Sequence, residues 1–198
     1  ALLRVENGPV ANDFTTGSLV LAQGGGLRVA GAGVACNGVL NAAFETWIGG
    51  HGTINVAGNA IIGGELSVYG GAMNINIAGA NTIDLDGAAG QGEIVINDPN
   101  ADLAILAGGV ADSFDSYLFV GPGSDFTLAA PGGWSTGPNS LVQTSSWATS
   151  GNTSRILGSP LSIGGRFVIV EGFPDPTVNT VRIGAATTFQ PSAEVETN

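Results

Sequence analysis

The chain has 198 residues, with 16 acidic side chains against five basic ones and a net charge of −11; there is no lysine. That balance repels phosphate, so nucleic acid and an anionic membrane surface are excluded as partners. A single cysteine and a single histidine rule out a disulfide framework and a Cys/His zinc cluster. The length fits one domain or two small ones. Hydrophobic residues make up 43% of the chain, which argues for a packed core and against disorder. No apolar run reaches the roughly 18 residues of a membrane span, so membrane insertion is not expected. The first residues lack a basic stretch followed by an apolar one, the pattern of a secretory signal. A leader removed before Ala1 stays open.

Residues 1–18, with Asn7-Gly8-Pro9 and Thr15-Thr16-Gly17, read as a non-repetitive N-terminal arm. Leu2, Leu3, Arg4 and Val5 are its candidate docking residues. The apolar side chains can be buried against a partner, and the Arg4 guanidinium offers a planar fork to a carboxylate.

Residues 19–130 read as a repetitive β domain. Gly24-Gly25-Gly26 and Gly31-Ala32-Gly33 do not lie between a strand and a helix, and no lysine follows, so neither is a phosphate-cradling loop. Cys36 is expected to be a small buried hydrophobe. Over residues 39–48, Val39/Leu40, Ala43/Phe44 and Trp47/Ile48 recur at helical spacing, while Leu40, Ala42, Phe44, Thr46 and Ile48 alternate as in a strand. Both readings stand.

Through the domain a short unit recurs: two apolar residues two apart, then a glycine or asparagine turn. It reads Leu27-Arg28-Val29, Ile54-Asn55-Val56, Leu66-Ser67-Val68, Ile75-Asn76-Ile77, Ile83-Asp84-Leu85 and Ile94-Val95-Ile96. Such alternation buries one face of a strand and wets the other. Short strands at this spacing, with turn residues between them, predict an all-β fold. A β-helix-like stack of coils is favoured over residues 50–107, because glycine or asparagine stands at nearly every corner. A β-sandwich of tight hairpins is the alternative.

Several residues within the domain are candidates for chemistry. Gly49-Gly50-His51-Gly52-Thr53-Ile54 shares glycine spacing with calcium-bound β-rolls, but Ile54 stands where the aspartate ligand belongs. Asp84 and Asp86 share one strand face, with Asp98 and Asp102 further on; the carboxylates suit either a cation or acid–base pair, or ordinary corners. His51 lacks the nucleophile context that a catalytic base requires. No catalytic residue, cofactor or metal ligand is therefore assigned, and the chain reads as a non-enzyme. Trp47, Tyr69, Tyr117, Trp134 and Trp147 are either a carbohydrate-binding set or anchors of the core and of subunit contacts.

Residues 131–155 read as a long Gly/Ser/Thr-rich loop anchored by Trp134 and Trp147, with a glycosylation tripeptide at Asn152-Thr153-Ser154. Residues 156–198 form a C-terminal β region, with strands at Leu161–Ile163, Phe167–Val170 and Val178–Ile183. The turn Phe173-Pro174-Asp175-Pro176 separates the last two, and a tail or docking arm runs from 190 to 198.

The stretch from Gly52-Thr53-Ile54-Asn55-Val56-Ala57-Gly58 to Glu65-Leu66-Ser67-Val68-Tyr69-Gly70 resembles the short β repeats of phage virion proteins of the capsid decoration, fibre and spike type. The resemblance implies a virion surface component, commonly a homotrimer, whose partners are capsid or tail proteins and copies of itself. It carries over no functional residue. A bacterial cell-surface adhesin or binding module is the alternative, and a β-helical carbohydrate-active enzyme a second one.

Overall fold

The computed structural model describes residues 1–6, 13–88, 92–99, 101–145, 154–170, 181–183 and 186–197. Among them there is no helix, and the strands stack in parallel into a β-solenoid of about seven turns. The first rung is β1 (Leu2–Glu6), β2 (Phe14–Thr16) and β3 (Leu19–Leu21). The second is β4 (Gly26–Cys36) and β5 (Leu40–Ala42), the third β6 (Trp47–Val56) and β7 (Ala60–Ile62), the fourth β8 (Glu65–Ile77) and β9 (Thr82–Asp84). From there each long strand becomes two: β10 (Glu93–Ile96), β11 (Asp102–Leu106) and β12 (Gly109–Val110), then β13 (Tyr117–Val120), β14 (Asp125–Ala129) and β15 (Trp134–Ser135). The last rungs hold β16 (Leu141–Ser145), β17 (Ser154–Gly158), β18 (Leu161–Ile163), β19 (Arg166–Val170), β20 (Val181–Ile183), β21 (Thr187–Phe189) and β22 (Glu194–Thr197).

Three faces result. The first runs from β1 through the front halves of β4, β6 and β8 to β10, β13, β16, β19 and β22. The second uses β2, the back halves of β4, β6 and β8, and then β11, β14, β17 and β20. The third is a five-stranded sheet, β3-β5-β7-β9-β12, followed by a three-stranded one, β15-β18-β21. A lone bridge, Phe114 to Thr136, links these two.

Inward positions line up as aliphatic columns. On the first face Leu3, Leu27, Ile48, Leu66, Ile94, Leu118, Val142 and Phe167 are successive register partners. On the second, Val34, Ile54, Ile75, Ile105 and Leu128 do the same. Every member except Leu3 is buried. Burying each such side chain fully contributes about 1.5–3 kcal/mol, so the columns are the main source of stability. One turn varies in length, from 18 residues between partners Ile48 and Leu66 to 28 between Leu66 and Ile94.

Corners need unusual backbone. In β6 the bend between the first two faces falls at Gly50 (φ 110°) and Gly52 (φ 132°). A Cβ at Gly50 would collide with the Val29 carbonyl oxygen of the rung before, so only glycine lets the chain turn while the rungs stay in hydrogen-bonding contact.

The structure corrects several expectations. Residues 39–48 hold no helix, and the alternation is kept only in part: Leu40 and Ala42 are buried in β5 and Ile48 in β6, while residues 43–46 form the turn between them and leave Phe44 44% exposed. The supposed N-terminal arm is not an arm where it is described. Residues 2–6 pair in register with β4, because Leu3 and Val5 extend the same apolar columns. The 131–155 loop contains β15, β16 and the start of β17, with Trp134 only 6% exposed. The tail at 190–198 likewise contains β22, paired with β19. Trp147, Asn152-Thr153 and the turn at 173–176 lie outside the described residues, as does the 178–180 part of the last strand candidate.

Candidate functional site

The densest group of titratable side chains lies on the third face, where β9 runs out into its corner. Asp84 and Asp86 come from this corner, and Asp112 from the one after β12, a turn later. Carboxylate oxygens of the three lie within 4.8 Å of one another. Asp84 Oδ1 accepts from the backbone N–H of Asp86 (3.2 Å) and of Gly87 (2.6 Å), an Asx-type turn that closes the corner. Asp86 is 2% exposed, and its Oδ2 accepts from the N–H of Asp115 at 2.6 Å. Burial pushes the Asp86 carboxyl up to about 6, against the opposing pull of that hydrogen bond, and the charges of Asp112, Asp84 and Asp115 add to the rise. Asp112 is also raised, by burial and then by Asp84. A cleft of about 290 Å³ borders the pair, with Asn41, Phe44 and Ile61 in its wall. Its aromatic is a phenylalanine, not the tryptophan that commonly stacks a sugar.

The other sequence candidates do not join this group. Asp98 accepts from the Gly70 N–H at 2.8 Å, and Asp102 from the Asp125 N–H at 3.0 Å. Asp115 holds the Asn139 N–H at 2.7 Å, and Asp125 pairs with Arg155. Each of these contacts ties one coil to the next. The His51 ring packs over Gly70 and Gly71 at the bend of β8. Cys36 is 2% exposed, and burial raises its thiol pKa, as suits an inert core residue.

A second cleft, of about 490 Å³, opens where the third face is interrupted between β12 and β15. Asp112, Ser113, Gly133, Ser135 and Ser162 line it. The Ser113 and Ser135 hydroxyls, 2.7 Å apart, bridge the gap. The Trp134 ring belongs to the core, edge-on to Phe126 at 5.7 Å, with its Nε1 buried and unpartnered.

The aromatic set divides. Trp47, Tyr69 and Tyr117 all reach the outer surface of the first face, joined there by Phe119. The Trp47 ring lies over Gly49 and stacks with Tyr69 at 6.4 Å and 25°. Three rungs on, in register with Trp47 through Glu65 and Glu93, Tyr117 stacks with Phe119 at 6.4 Å and 19°. Burial, and then the Glu93 charge, raise the Tyr117 phenol pKa.

The sequence docking candidates lie at the start of the same face. Leu2 is 49% exposed, Leu3 half-buried, Arg4 exposed and Val5 buried. Arg4 is the register partner of Arg28. Among the described residues neither makes an ion pair, and Arg28 Nε is buried without a partner there, whereas Arg155 and Arg166 are both paired with carboxylates. The sequence reading missed Arg28, Asp112 and Phe119. A signal for Arg28 existed: Leu3-Arg4-Val5 recurs as Leu27-Arg28-Val29, and a repeat of that kind stacks like upon like. Asp112 stands in no motif; only the pitch of the coil brings it to Asp84. No protein-family model, curated protein or solved structure matches the chain.

Proposed function

We propose that the chain is a non-enzymatic structural protein of a phage particle surface, decorating or cementing the capsid or forming part of a fibre or spike, as a homotrimer. The observation that carries this reading is how the chain uses its polar side chains. Asp98, Asp102 and Asp115 accept backbone N–H groups of a neighbouring coil and Asp84 accepts those of its own corner, which leaves all four as fasteners of the fold. A stack held by continuous backbone pairing and aliphatic columns suits a protein that must persist outside a cell. The half-buried column Val95–Phe119 on the first face supports contact with sister subunits.

The test is to purify particles by density gradient and look for the chain by mass spectrometry and immunogold labelling. It should co-sediment at fixed stoichiometry and label the shell or tail. Recovery in the cell envelope, with none on particles, would replace this reading with a cell-surface binding module. The outward-facing Trp47–Tyr69 pair, beside two arginines that form no ion pair among the described residues, favours that second reading.

A further inference from the structure

The first four rungs of the first face carry a patch that the fold does not explain. In a chain of net charge −11 with five arginines, Arg4 and Arg28 stand side by side on adjacent parallel strands, about 4.8 Å apart along the stack. Like charges in this position repel and cost stability. Glu6, two residues along from Arg4, and Glu65, the register partner of Trp47, form no ion pair with either. Arg28 Nε is withdrawn from solvent without an acceptor, which is expensive for a charged donor. Gly49, the register partner of Arg28, leaves room for the Trp47 ring, whose atoms occupy the space a Cβ there would take. Leu2 and Trp47 flank Gly26, and Tyr69 stacks on the far side of Trp47.

We infer that Arg4, Arg28, Trp47 and Tyr69 form a binding site for a carboxylate-bearing polysaccharide, a polyuronate in chemical class. Two guanidinium forks at the rung spacing match carboxylates carried by one or two neighbouring sugar units, and each fork can hold a carboxylate bidentately. A uronate bears its carboxylate on the sugar ring itself, so the apolar C–H face of the same unit reaches the indole while the fork holds the charge. An acidic peptide lacks that flat face beside its carboxylate. The protein's overall negative charge does not forbid the contact, because at physiological salt charges beyond about 8 Å are largely screened. The site does not depend on the particle role, and it would serve a host-surface contact on either reading above.

The experiment is calorimetric titration of the full chain with a tetra-galacturonate, alongside a neutral cello-tetraose and a tetra-glutamate peptide. Saturable binding of the tetra-galacturonate alone is expected, weakening as sodium chloride is raised. Arg4→Gln and Arg28→Gln should each weaken it at least tenfold with the circular dichroism spectrum unchanged. Arg28→Lys should weaken it too, since it keeps the charge and loses the fork, and Trp47→Leu should do so through loss of the ring face. If Arg28→Gln fails to fold, Arg4→Gln on the exposed strand carries the same test. No saturable binding, equal binding of the glutamate peptide, or affinity unchanged by Arg4→Gln would overturn the inference. None of these outcomes bears on whether the chain co-sediments with particles.

Discussion

Asp86 is buried beside two other carboxylates and held by one backbone N–H, so its ionised form is disfavoured in the folded chain. Its pKa stands at about 6 there, against about 3.9 when unfolded. A raised acid costs stability above its folded pKa, and the cost is relieved as pH falls, because the folded state takes up a proton that the unfolded state does not. From this group alone, stability is expected to rise as pH falls from 7 towards 4, by up to about 3 kcal/mol. Asp86→Asn can still accept the Asp115 N–H, so it should raise the melting temperature at pH 7.5 and flatten that part of the pH profile. A lower melting temperature at pH 7.5 would mean that the charge is compensated, as by a bound cation. Folding is expected not to need Ca²⁺, since Asp84 already serves two N–H groups of its own corner; chelator should leave the melting curve nearly unmoved. A large loss in chelator would turn Asp84, Asp86 and Asp112 into ligands. At Gly50 the backbone is the constraint: Gly50→Ala must hold φ near 110° and push back the Val29 carbonyl. A loss of about 1–3 kcal/mol or more is expected in denaturant unfolding.

Each strand is stable only as part of the stack, which changes what a truncation does. Residues 1–18 include β1 and β2, and removing them would uncover Leu27, Val29 and Val34 and leave the edge of β4 unpaired. A free apolar edge invites pairing between chains. The truncated chain is therefore expected to melt earlier and to aggregate on heating, where loss of a docking arm would leave the melt unchanged; thermal denaturation followed by light scattering separates the two. The sequence made the strands legible but not the period of the coil. Val56, Val68, Ile77, Leu85 and Ile96 read as a loose repeat of 8 to 12 residues. In the structure they step around the faces, and one full turn is Val68 to its register partner Ile96. Alternation reports which side of a strand is buried; it does not report how many strands make a turn, because the corners vary in length. The same limit hid the acidic group. Asp84 and Asp86 could be read as neighbours, whereas Asp112 joins them only through the pairing of β9 with β12. The ends of the chain were misread for another reason: their turn-rich composition, with Asn7-Gly8-Pro9 and Gln190-Pro191-Ser192, resembles that of an arm, although Leu3, Val5 and Val195 keep the columns' alternation.

Taken whole, the molecule covers its own core, and this moves the basis of the expected homotrimer. The homotrimer that the resemblance implies does not rest on a shared core, because Ile48, Ile54, Leu66 and Ile75 are already fully buried within one chain. Association must then rest on the outer surface. There the first face offers Val95 and Phe119 in one outward column, with Tyr117 stacked on Phe119 and Leu141 the register partner of Tyr117. Aromatic and aliphatic side chains set among polar neighbours are the usual anchors of a subunit contact. Sedimentation equilibrium at micromolar concentration is expected to give about three times the 19.6 kDa of one chain. Phe119→Glu should then give a monomer that still melts cooperatively, because the side chain points away from the columns and its removal leaves no cavity in them. A wild-type monomer would remove the trimer. A trimer unaffected by Phe119→Glu would place the contact on another face. A variant that unfolds instead would mean that Phe119 supports its own strand more than any neighbour, and hydrogen exchange along β13 would show that loss locally.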